Sequence, residues 1–170
     1  MKTVAVYQVE KEEVGVILSG LTEEVLSSEQ NKFKRCGAHD SRRFGFSPCL
    51  NGLYVDAQKG YTLINVTEQL KVPEPLAVED LVATKVIQFK LDNDNVEPNK
   101  KTKDAFKFEA VEELLPATYP KKEKHFKVMI LNSGLILTEA SGKKAEEILG
   151  LMRKVLGSLP AVPFETETPL

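Results

Sequence analysis

The stretch HFKVMILNSGLILTEASGKKAEEILGLMRKVLGS, residues 125–158, carries the clearest structural pattern in the chain. Its first half predicts two strands joined across Asn132-Ser133-Gly134, a sequence typical of a tight hairpin turn. Its second half predicts a helix that Ser141 can cap and Gly157 can end. Apolar residues recur along that helix at helical spacing and therefore predict a core-facing stripe: Ala145, Ile148, Leu149, Met152, Val155 and Leu156.

Weaker patterns describe the amino-terminal third of the chain. Residues 3–9 alternate apolar and polar side chains, which predicts a half-buried strand. Thr22 is a good N-cap residue followed by two acids, and it predicts a helix that continues to about Lys32. Residues 36–52 contain three glycines and a proline, so an irregular loop is expected there.

The middle of the chain predicts a hairpin and two helices. Residues 53–70 suggest two strands joined near Gln58 to Gly60. A helix is predicted from about Pro75 to about Leu91. Five of its residues are available for burial: Val78, Leu81, Val82, Val86 and Phe89. The lysine-rich segment NKKTKDAFKFEAVEELLP, residues 99–116, predicts the next helix. This order of elements favours an α+β fold, in which antiparallel sheets and hairpins pack with about four helices.

Length and composition narrow the class of protein. The 170 residues, 42% of them hydrophobic, can build one domain or two small ones. The sequence contains no run of eighteen apolar residues, so no membrane span is predicted. The amino terminus becomes charged too early for a secretory signal. Two cysteines are too few for a disulfide scaffold. We therefore expect a cytoplasmic protein without a membrane partner.

Charge is distributed unevenly although the net charge is only −2. Residues 99–127 hold eight lysines against five acids, and residues 31–43 hold five basic residues against one acid. The remainder of the chain is acidic. This distribution suggests a polarised surface, with chance clustering as the alternative.

No metal or cofactor site is predicted. The segment DNDNVEPN resembles a calcium loop only superficially, because Glu97 replaces the required glycine and Lys103 replaces the closing glutamate. Cys36, His39 and Cys49 have neither zinc-site spacing nor a fourth ligand. Buried thiols and a loop histidine are the favoured interpretation of these three residues.

The sequence also shows no motif of a known catalytic centre. No Asp or Glu is followed two positions later by Lys, so the Glu-x-Lys element of many metal nucleases is missing. Glycine-rich phosphate loops and a Gly-x-Ser-x-Gly elbow are missing as well. We predict that the protein is not an enzyme and has no catalytic residues. A metal nuclease with scattered carboxylates remains an alternative.

The lysine-rich helix separates its charges. At 100° per residue, Lys100, Lys103 and Lys107 fall within an arc of about 60°. Three glutamates fall roughly on the opposite side: Glu109, Glu112 and Glu113. Lysines at a helix start oppose the macrodipole, at a cost of about 0.3–1 kcal/mol each. The arrangement is consistent with lysines that serve an external anion such as phosphate, and an ordinary solvated face is the alternative.

Four blocks of sequence carry a family resemblance. In chain order they are CGAHDSRRFGFSP (36–48), KKTKDAFKFEAVEELLP (100–116), NSGLILTEAS (132–141) and KKAEEILGLMRKVLGSLPAVP (143–163). Together they resemble the recombination-associated protein RdgC family, and the similarity begins at the first strand, VAVYQV. Residues 50–95 match poorly, so expectations there rest on pattern alone.

The resemblance implies a DNA-binding protein without enzymatic activity. RdgC-like proteins bind double- and single-stranded DNA with little sequence preference. They form a two-fold ring dimer with a positively charged hole, and they restrain RecA by occupying DNA. By the block match, Lys100, Lys101, Lys103 and Lys107 belong to the part of the family that approaches the hole. Tyr119 matches an aromatic position at a dimer interface, and an exposed loop aromatic is the alternative.

The predicted DNA-binding set is completed by other basic residues. Lys121 and Lys122 lie toward the end of the lysine-rich region 99–127, and Arg42 and Arg43 lie in the predicted basic loop. Contacts from such side chains to phosphates carry no sequence information. The set therefore predicts binding to the DNA backbone.

The resemblance covers the amino-terminal half of longer family chains. A naturally short relative, such as a phage version, and a fragment of a longer protein both fit this length. We expect a homodimer or another homo-oligomer. The whole chain, 1–170, corresponds to the amino-terminal region, with an expected base formed by 1–72 and 124–170 and a lysine-rich helical extension formed by 73–123.

The predicted function is sequence-nonspecific DNA binding at the nucleoid in the cytoplasm, which modulates RecA-dependent recombination through occupation of DNA. One alternative is an interaction module that binds recombination proteins or another RdgC-like chain. A metal-dependent nuclease is the least favoured alternative.

Overall fold

Seven strands and five helices are present in residues 3–164, the part of the chain that the computed structural model describes. Residues 1–2 and 165–170 lie outside the described residues. The strands are β1 (Ala5–Gln8), β2 (Arg42–Ser47), β3 (Asp56–Gln58), β4 (Tyr61–Leu70), β5 (Lys124–Leu131), β6 (Leu135–Thr138) and β7 (Val162–Pro163). The helices are α1 (Glu13–Gly20), α2 (Glu23–Leu26), α3 (Pro75–Asp92), α4 (Lys100–Leu114) and α5 (Gly142–Leu156).

The strands form one sheet in the order β2-β4-β5-β6-β1-β7, and β3 pairs with β4. The β4–β5, β5–β6 and β1–β6 pairs are antiparallel. The sheet and the helices confirm the predicted α+β fold. No helix within residues 3–164 is long and apolar enough to cross a membrane.

The chain divides into two compact units. The sheet unit contains the residues up to Lys34, Phe44–Glu68 and the residues from Lys124 onward. The helical unit contains Arg35–Arg43 and Gln69–Glu123. Nearly all of the apolar core lies in the sheet unit, where α5 packs with the sheet and with α1.

The hairpin and helix predicted at residues 125–158 are confirmed. β5 and β6 flank the turn, and Gly134 has φ +105°. A side chain there would meet the Val9 carbonyl oxygen at 2.4 Å, so glycine is required. Four residues of the predicted α5 stripe are fully buried: Ala145, Ile148, Leu149 and Met152. Ser141 occupies the N-cap position without a side-chain capping bond, and Gly157 ends the helix with φ +82°.

One helix, α1, was not predicted from the sequence. Its eight residues, EVGVILSG, include two glycines and three β-branched residues, which all have poor helix propensity. Val14 and Ile17, three positions apart, are both buried in the core of the sheet unit. Packing, rather than propensity, therefore stabilises this helix.

The helix predicted from Thr22 to Lys32 is much shorter in the structure. The Thr22 hydroxyl caps it as expected, because it accepts the Val25 N–H at 3.3 Å. The helix then ends at Leu26. The Ser28 hydroxyl and the Asn31 amide donate to the Val25 carbonyl at 2.8 and 2.9 Å, and such local bonds compete with helix continuation.

The irregular loop predicted for residues 36–52 is wrong in part, because β2 occupies Arg42–Ser47. The Phe33 N–H donates to the Phe46 carbonyl at 2.6 Å, and the Phe46 N–H donates to the Asn31 carbonyl at 3.0 Å. A side chain at Gly45 would lie 2.7 Å from the Phe33 nitrogen. This glycine therefore permits a close backbone approach within a strand and does not mark a loop.

In the helical unit, α3 and α4 confirm the two predicted central helices. The predicted burial along α3 is less complete than expected, because Val78 is buried whereas Leu81, Val82, Val86 and Phe89 are only half-buried. The segment between α3 and α4 is a turn in which Asp94 and Asn95 have positive φ angles of 52° and 63°.

Replacing Ile148 with alanine should destabilise the protein by roughly 2–5 kcal/mol, because it leaves a cavity in the core of the sheet unit. The free energy of unfolding from urea titration measures this effect. Lys143→Ala, an exposed change on the same helix, is the control and should stay within about 0.5 kcal/mol of the unchanged protein. Equal stability of the two variants would contradict the position of α5 in the core.

Candidate functional site

The lysine-rich helix α4 begins with an amide cap. The Asn99 side-chain oxygen accepts the Thr102 N–H at 2.8 Å, which places Lys100 and Lys101 in the first turn. Lys100, Lys101, Lys103 and Lys107 are all exposed. Lys103 lies 3.9 Å from Glu97. Within residues 3–164, Lys100, Lys101 and Lys107 form no ion pair.

Two glutamates of α4, in contrast, have a partner inside the helical unit. The Lys85 ammonium on α3 lies 2.7 Å from Glu113 and 3.4 Å from Glu109. The hydrogen bond to Glu113, together with the second carboxylate, raises the pKa of Lys85. The rings of Phe89 and Phe106 meet edge-on in the same helix pair, with centroids 6.0 Å apart. The acidic end of α4 therefore faces α3.

The exposed lysines of α4 divide between two surroundings. Lys103 and Lys107, together with Asp104, line a groove of about 620 Å³ whose other wall is mostly apolar residues of α3. The α3 residues are Val78, Glu79, Val82, Ala83, Val86 and Ile87. Lys100 and Lys101 do not line this groove. The structure thus separates lysines that the sequence treated as one group.

The predicted basic loop is a folded segment, and its arginines lie at the start of β2. Asp40 organises it, since its Oδ2 atom accepts the Gly37 N–H at 2.8 Å and the Arg43 Nε–H at 2.9 Å. The Gly37 N–H and then the Arg43 guanidinium lower the pKa of Asp40 below its usual 3.8. Arg43 therefore has a local role in the segment in addition to any role in binding. Arg42 is exposed and also has an interaction within the protein.

Lys71, which the sequence analysis did not predict as a site residue, stabilises the 35–43 segment through hydrogen bonds to its backbone. Its side chain is buried, and its ammonium donates to the carbonyls of Gly37 and Ala38, both at 2.9 Å. Its backbone N–H donates to the Ser41 carbonyl at 2.9 Å. Nothing local marks this lysine, because its acceptors lie more than thirty residues away in the sequence.

Gln69 joins two of the predicted basic regions. Its side-chain oxygen accepts the Cys36 N–H at 2.9 Å, and its amide donates to the Lys121 carbonyl at 3.2 Å. The Lys121 N–H in turn donates to the Leu70 carbonyl at 2.7 Å. The structure therefore places the 35–43 segment beside Lys121 and Lys122, whose side chains are exposed.

Tyr119 follows the short 3₁₀ turn Leu115–Ala117 and is 92% exposed. The Thr118 hydroxyl donates to the Leu114 carbonyl at 2.7 Å and fixes the chain just before the tyrosine. The exposure is compatible with both expectations for Tyr119, an interface aromatic and a loop aromatic.

The residues considered for metal binding form no evident site. Among residues 3–164, no group of three or more His, Cys, Asp or Glu side chains is placed to hold a metal ion. Burial raises the pKa of both the Cys36 and the Cys49 thiols, which keeps them protonated and weakly nucleophilic.

A second charged cavity lies in the sheet unit, with a volume of about 400 Å³. Lys124, His125 and Lys144 line it together with Glu68 and Glu139. Glu68 is buried and pairs with Lys144 at 2.5 Å. Because carboxylates accompany the cations, this cavity has no clear preference for anions.

Comparison with known proteins gives a consistent result. The family model described as "RdgC: Putative exonuclease, RdgC" matches residues 1–170. The recombination-associated protein RdgC of Shewanella oneidensis is 34% identical over 142 residues, which cover 81% of this chain and 46% of that protein. The protein of the same name from Shewanella loihica is 34% identical over 148 residues, 85% of this chain and 48% of that protein. The chain spans about half the length of the curated relatives it matches.

Replacing Lys71 with methionine should destabilise the protein by roughly 1.5–3 kcal/mol, because two carbonyls lose a charged hydrogen-bond donor. Urea titration measures the free energy of unfolding, and hydrogen exchange at residues 36–41 reports the local effect. Lys59→Met, at an exposed turn position, is the matched control. If both variants are as stable as the unchanged protein, the support by Lys71 is refuted.

The Asp40 contacts should make the 35–43 segment sensitive to acid. Because the folded pKa lies below 3.8, these contacts contribute stability above that pH and lose it as the pH falls through the folded pKa. The Gly37 amide shift in NMR spectra should therefore titrate with a midpoint below 3.8. Asp40→Asn should abolish that titration. A midpoint at or above 3.8 would rule out the proposed contacts.

Proposed function

The chain belongs to the RdgC family, and from this premise we propose that it binds the DNA backbone through lysines of its helical unit. The observation that carries the proposal is the contrast within α4. Lys100, Lys101 and Lys107 are exposed and unpaired within residues 3–164, whereas Glu109 and Glu113 bind Lys85. The helix therefore carries three exposed lysines without an ion pair in residues 3–164, and it keeps two of its acids against α3.

Phosphate is the anion that suits this arrangement. Phosphate groups are favoured at helix starts, where the backbone N–H groups and the macrodipole attract negative charge. Lys100 and Lys101 lie in that first turn and add two positive charges. Lysine contacts to phosphate carry no base information, so we propose binding to both double- and single-stranded DNA without sequence preference.

Other basic residues extend the proposed surface. Gln69 brings the 35–43 segment beside Lys121, so Arg42, Arg43, Lys121 and Lys122 belong to one region of the helical unit. We include them as additional phosphate contacts. Arg43 retains donors for such a contact, because its bond to Asp40 uses Nε.

Membership of the family supports a proposal for the biological role. The curated relatives are named recombination-associated proteins, which supports a role related to recombination. We propose that occupation of DNA by this chain modulates RecA-dependent recombination at the nucleoid. We also propose a homodimer or other homo-oligomer in which Tyr119 takes part, for which its 92% exposure is the supporting observation.

Protein interaction is the second candidate function. The apolar α3 wall of the 620 Å³ groove and the exposed Ile87 at its edge provide a surface that another protein could cover. A partner bound there would contact Lys103 and Lys107, whereas Lys100 and Lys101 would stay accessible to DNA.

The family description also names an exonuclease. A metal-dependent exonuclease requires a cluster of metal ligands, and residues 3–164 do not display such a cluster. We therefore assign no catalytic residue, and cleavage of DNA is one of the outcomes that the binding experiment must examine.

Replacing Lys100, Lys103 and Lys107 together with alanine should weaken binding of a fluorescent duplex and flatten its salt dependence. Each lost phosphate contact lowers the slope of log K against log salt by about 0.9, so the slope should fall by up to about 2.7. Fluorescence anisotropy across a salt series measures both effects. An unchanged slope and affinity would refute the proposed surface.

The matched control replaces three exposed lysines of the sheet unit: Lys59, Lys143 and Lys154. This variant has the same net charge as the first. If the position of the lysines on α4 determines binding, the control variant should bind the duplex nearly as well as the unchanged protein. The duplex recovered after incubation with Mg²⁺ or Mn²⁺ should retain its length. Shortening of the duplex would support the nuclease alternative instead.

A further inference from the structure

The sheet has a second apolar face, which does not belong to the core. Side chains alternate between the two faces of a strand, and the core face is fully buried at Ile64, Val128 and Ile136. The opposite face of the same strands carries half-buried apolar residues: Leu63, Met129, Leu131, Leu135 and Leu137. None of these five residues belongs to the apolar core that residues 3–164 define. The outer face of an antiparallel sheet is normally polar, so this face departs from the expected pattern.

Strand pairing joins these apolar residues into a row. Leu63 pairs with Met129, and Met129 pairs with Leu137. Leu137 pairs with Val6, and the Phe164 N–H donates to the Val6 carbonyl at 2.9 Å. The row therefore crosses five strand positions, a length of about 19 Å at the usual strand spacing of about 4.8 Å. Three exposed apolar residues continue the face at its β7 end: Val4, Val162 and Phe164. A contiguous apolar patch of this kind marks an interaction surface, whereas single exposed apolar residues do not.

The charges on this face lie side by side at one margin of the apolar row. Lys127 pairs with Asn65, so its side chain lies on the same face as Met129, two residues further along β5. Glu139 follows β6, and its N–H donates to the Lys127 carbonyl at 2.9 Å. Lys127 is exposed, whereas Glu139 is half-buried and also lines the charged cavity of the sheet unit. One cation and one anion therefore occupy neighbouring strand positions.

We propose that a second copy of this chain covers the apolar face, and that a two-fold axis between β5 and β6, nearly parallel to these strands, relates the two copies. Such an axis places Met129 opposite Leu137 of the second copy. It also places Lys127 opposite Glu139 of the second copy, and Glu139 opposite Lys127 of the second copy. The two apolar rows then exclude water between packed sheets, as in a β-sandwich. The face is complementary to itself in apolar character and in charge, and this selects a second copy as the occupant.

This inference rests on the homo-oligomer of the proposed function and deepens it. It adds a contact in the sheet unit to the contact proposed at Tyr119 in the helical unit. The basic residues proposed to bind phosphate all belong to the helical unit. Dimerisation through the sheet and binding of DNA can therefore be tested separately.

Replacing Met129 with lysine tests the apolar row, because it places a charge at the centre of the proposed contact. The dissociation constant of the dimer, measured by sedimentation equilibrium over a concentration series, should rise roughly 30-fold or more, as for the loss of one hot-spot residue. Val16→Lys makes the same kind of change at an exposed position of α1 and should leave the constant unchanged. Urea titration checks that both variants fold.

Charge exchange tests the contact without altering the apolar row. Lys127→Glu places two carboxylates opposite each other across the proposed contact, and Glu139→Lys places two ammonium groups there. Each variant alone should therefore dimerise roughly tenfold more weakly at low salt. An equimolar mixture of the two variants restores opposite charges between the chains but not within either chain, so a heterodimer of near-normal affinity should form. A mixture that associates as weakly as the separate variants would overturn the proposal.

The remaining outcomes separate this inference from the proposed function. A chain that is monomeric at every concentration overturns the inference and leaves the face to another polypeptide, such as the part of the longer relatives that this chain does not match. A Met129→Lys variant that stays dimeric while Tyr119→Ala becomes monomeric overturns it as well. Salt-dependent duplex binding by a monomeric chain refutes the sheet contact alone. A dimer that Met129→Lys dissociates and that binds no duplex refutes the proposed DNA binding alone.

Discussion

The pairing of β4 with β5 is the constraint on which the rest of the structure depends. The two strands are in register from Tyr61 opposite Leu131 to Glu68 opposite Lys124. Because Glu68 and Lys124 are partners, the chain leaves the sheet and returns to it at the same position. Between these two positions the chain forms α3 and α4, which pair in the antiparallel sense, because Phe89 contacts Phe106 and the earlier Lys85 contacts the later Glu113. The apolar stripe of α5 stabilises the sheet that sets this constraint.

Elements with a strong local period could be predicted from the sequence, and elements that depend on distant partners could not. The turn at Gly134 and the apolar stripe of α5 depend on residues that are close together in the sequence, so both were predicted with nearly correct limits. α1 has poor helix propensity and exists because Val14 and Ile17 reach the core. β2 contains a glycine that suggested a loop, yet Gly45 is there because the backbone of Phe33 passes close by.

The candidate site shows the same division. Its exposed lysines and their separation from the glutamates follow from helical geometry, so the sequence predicted them. The partner of the glutamates could not be predicted in this way, because Lys85 lies on another helix, 24 and 28 residues before Glu109 and Glu113. Lys71 and Gln69 were also missed, since their hydrogen bonds join segments more than thirty residues apart. These long-range contacts determine which of the basic segments lie beside one another in the helical unit.

The charge order of α4 also has an energetic meaning that stability alone does not explain. A partly exposed ion pair such as Lys85 with Glu113 contributes only modestly to folding, and lysines in the first turn of a helix oppose its macrodipole. Neither feature is favoured by the stability of the free protein. The phosphate contact proposed at the start of α4 would change this balance, because it would satisfy the lysines and the helix dipole together. An arrangement that is slightly unfavourable in the free protein and favourable when an anion binds is the pattern expected of a functional site.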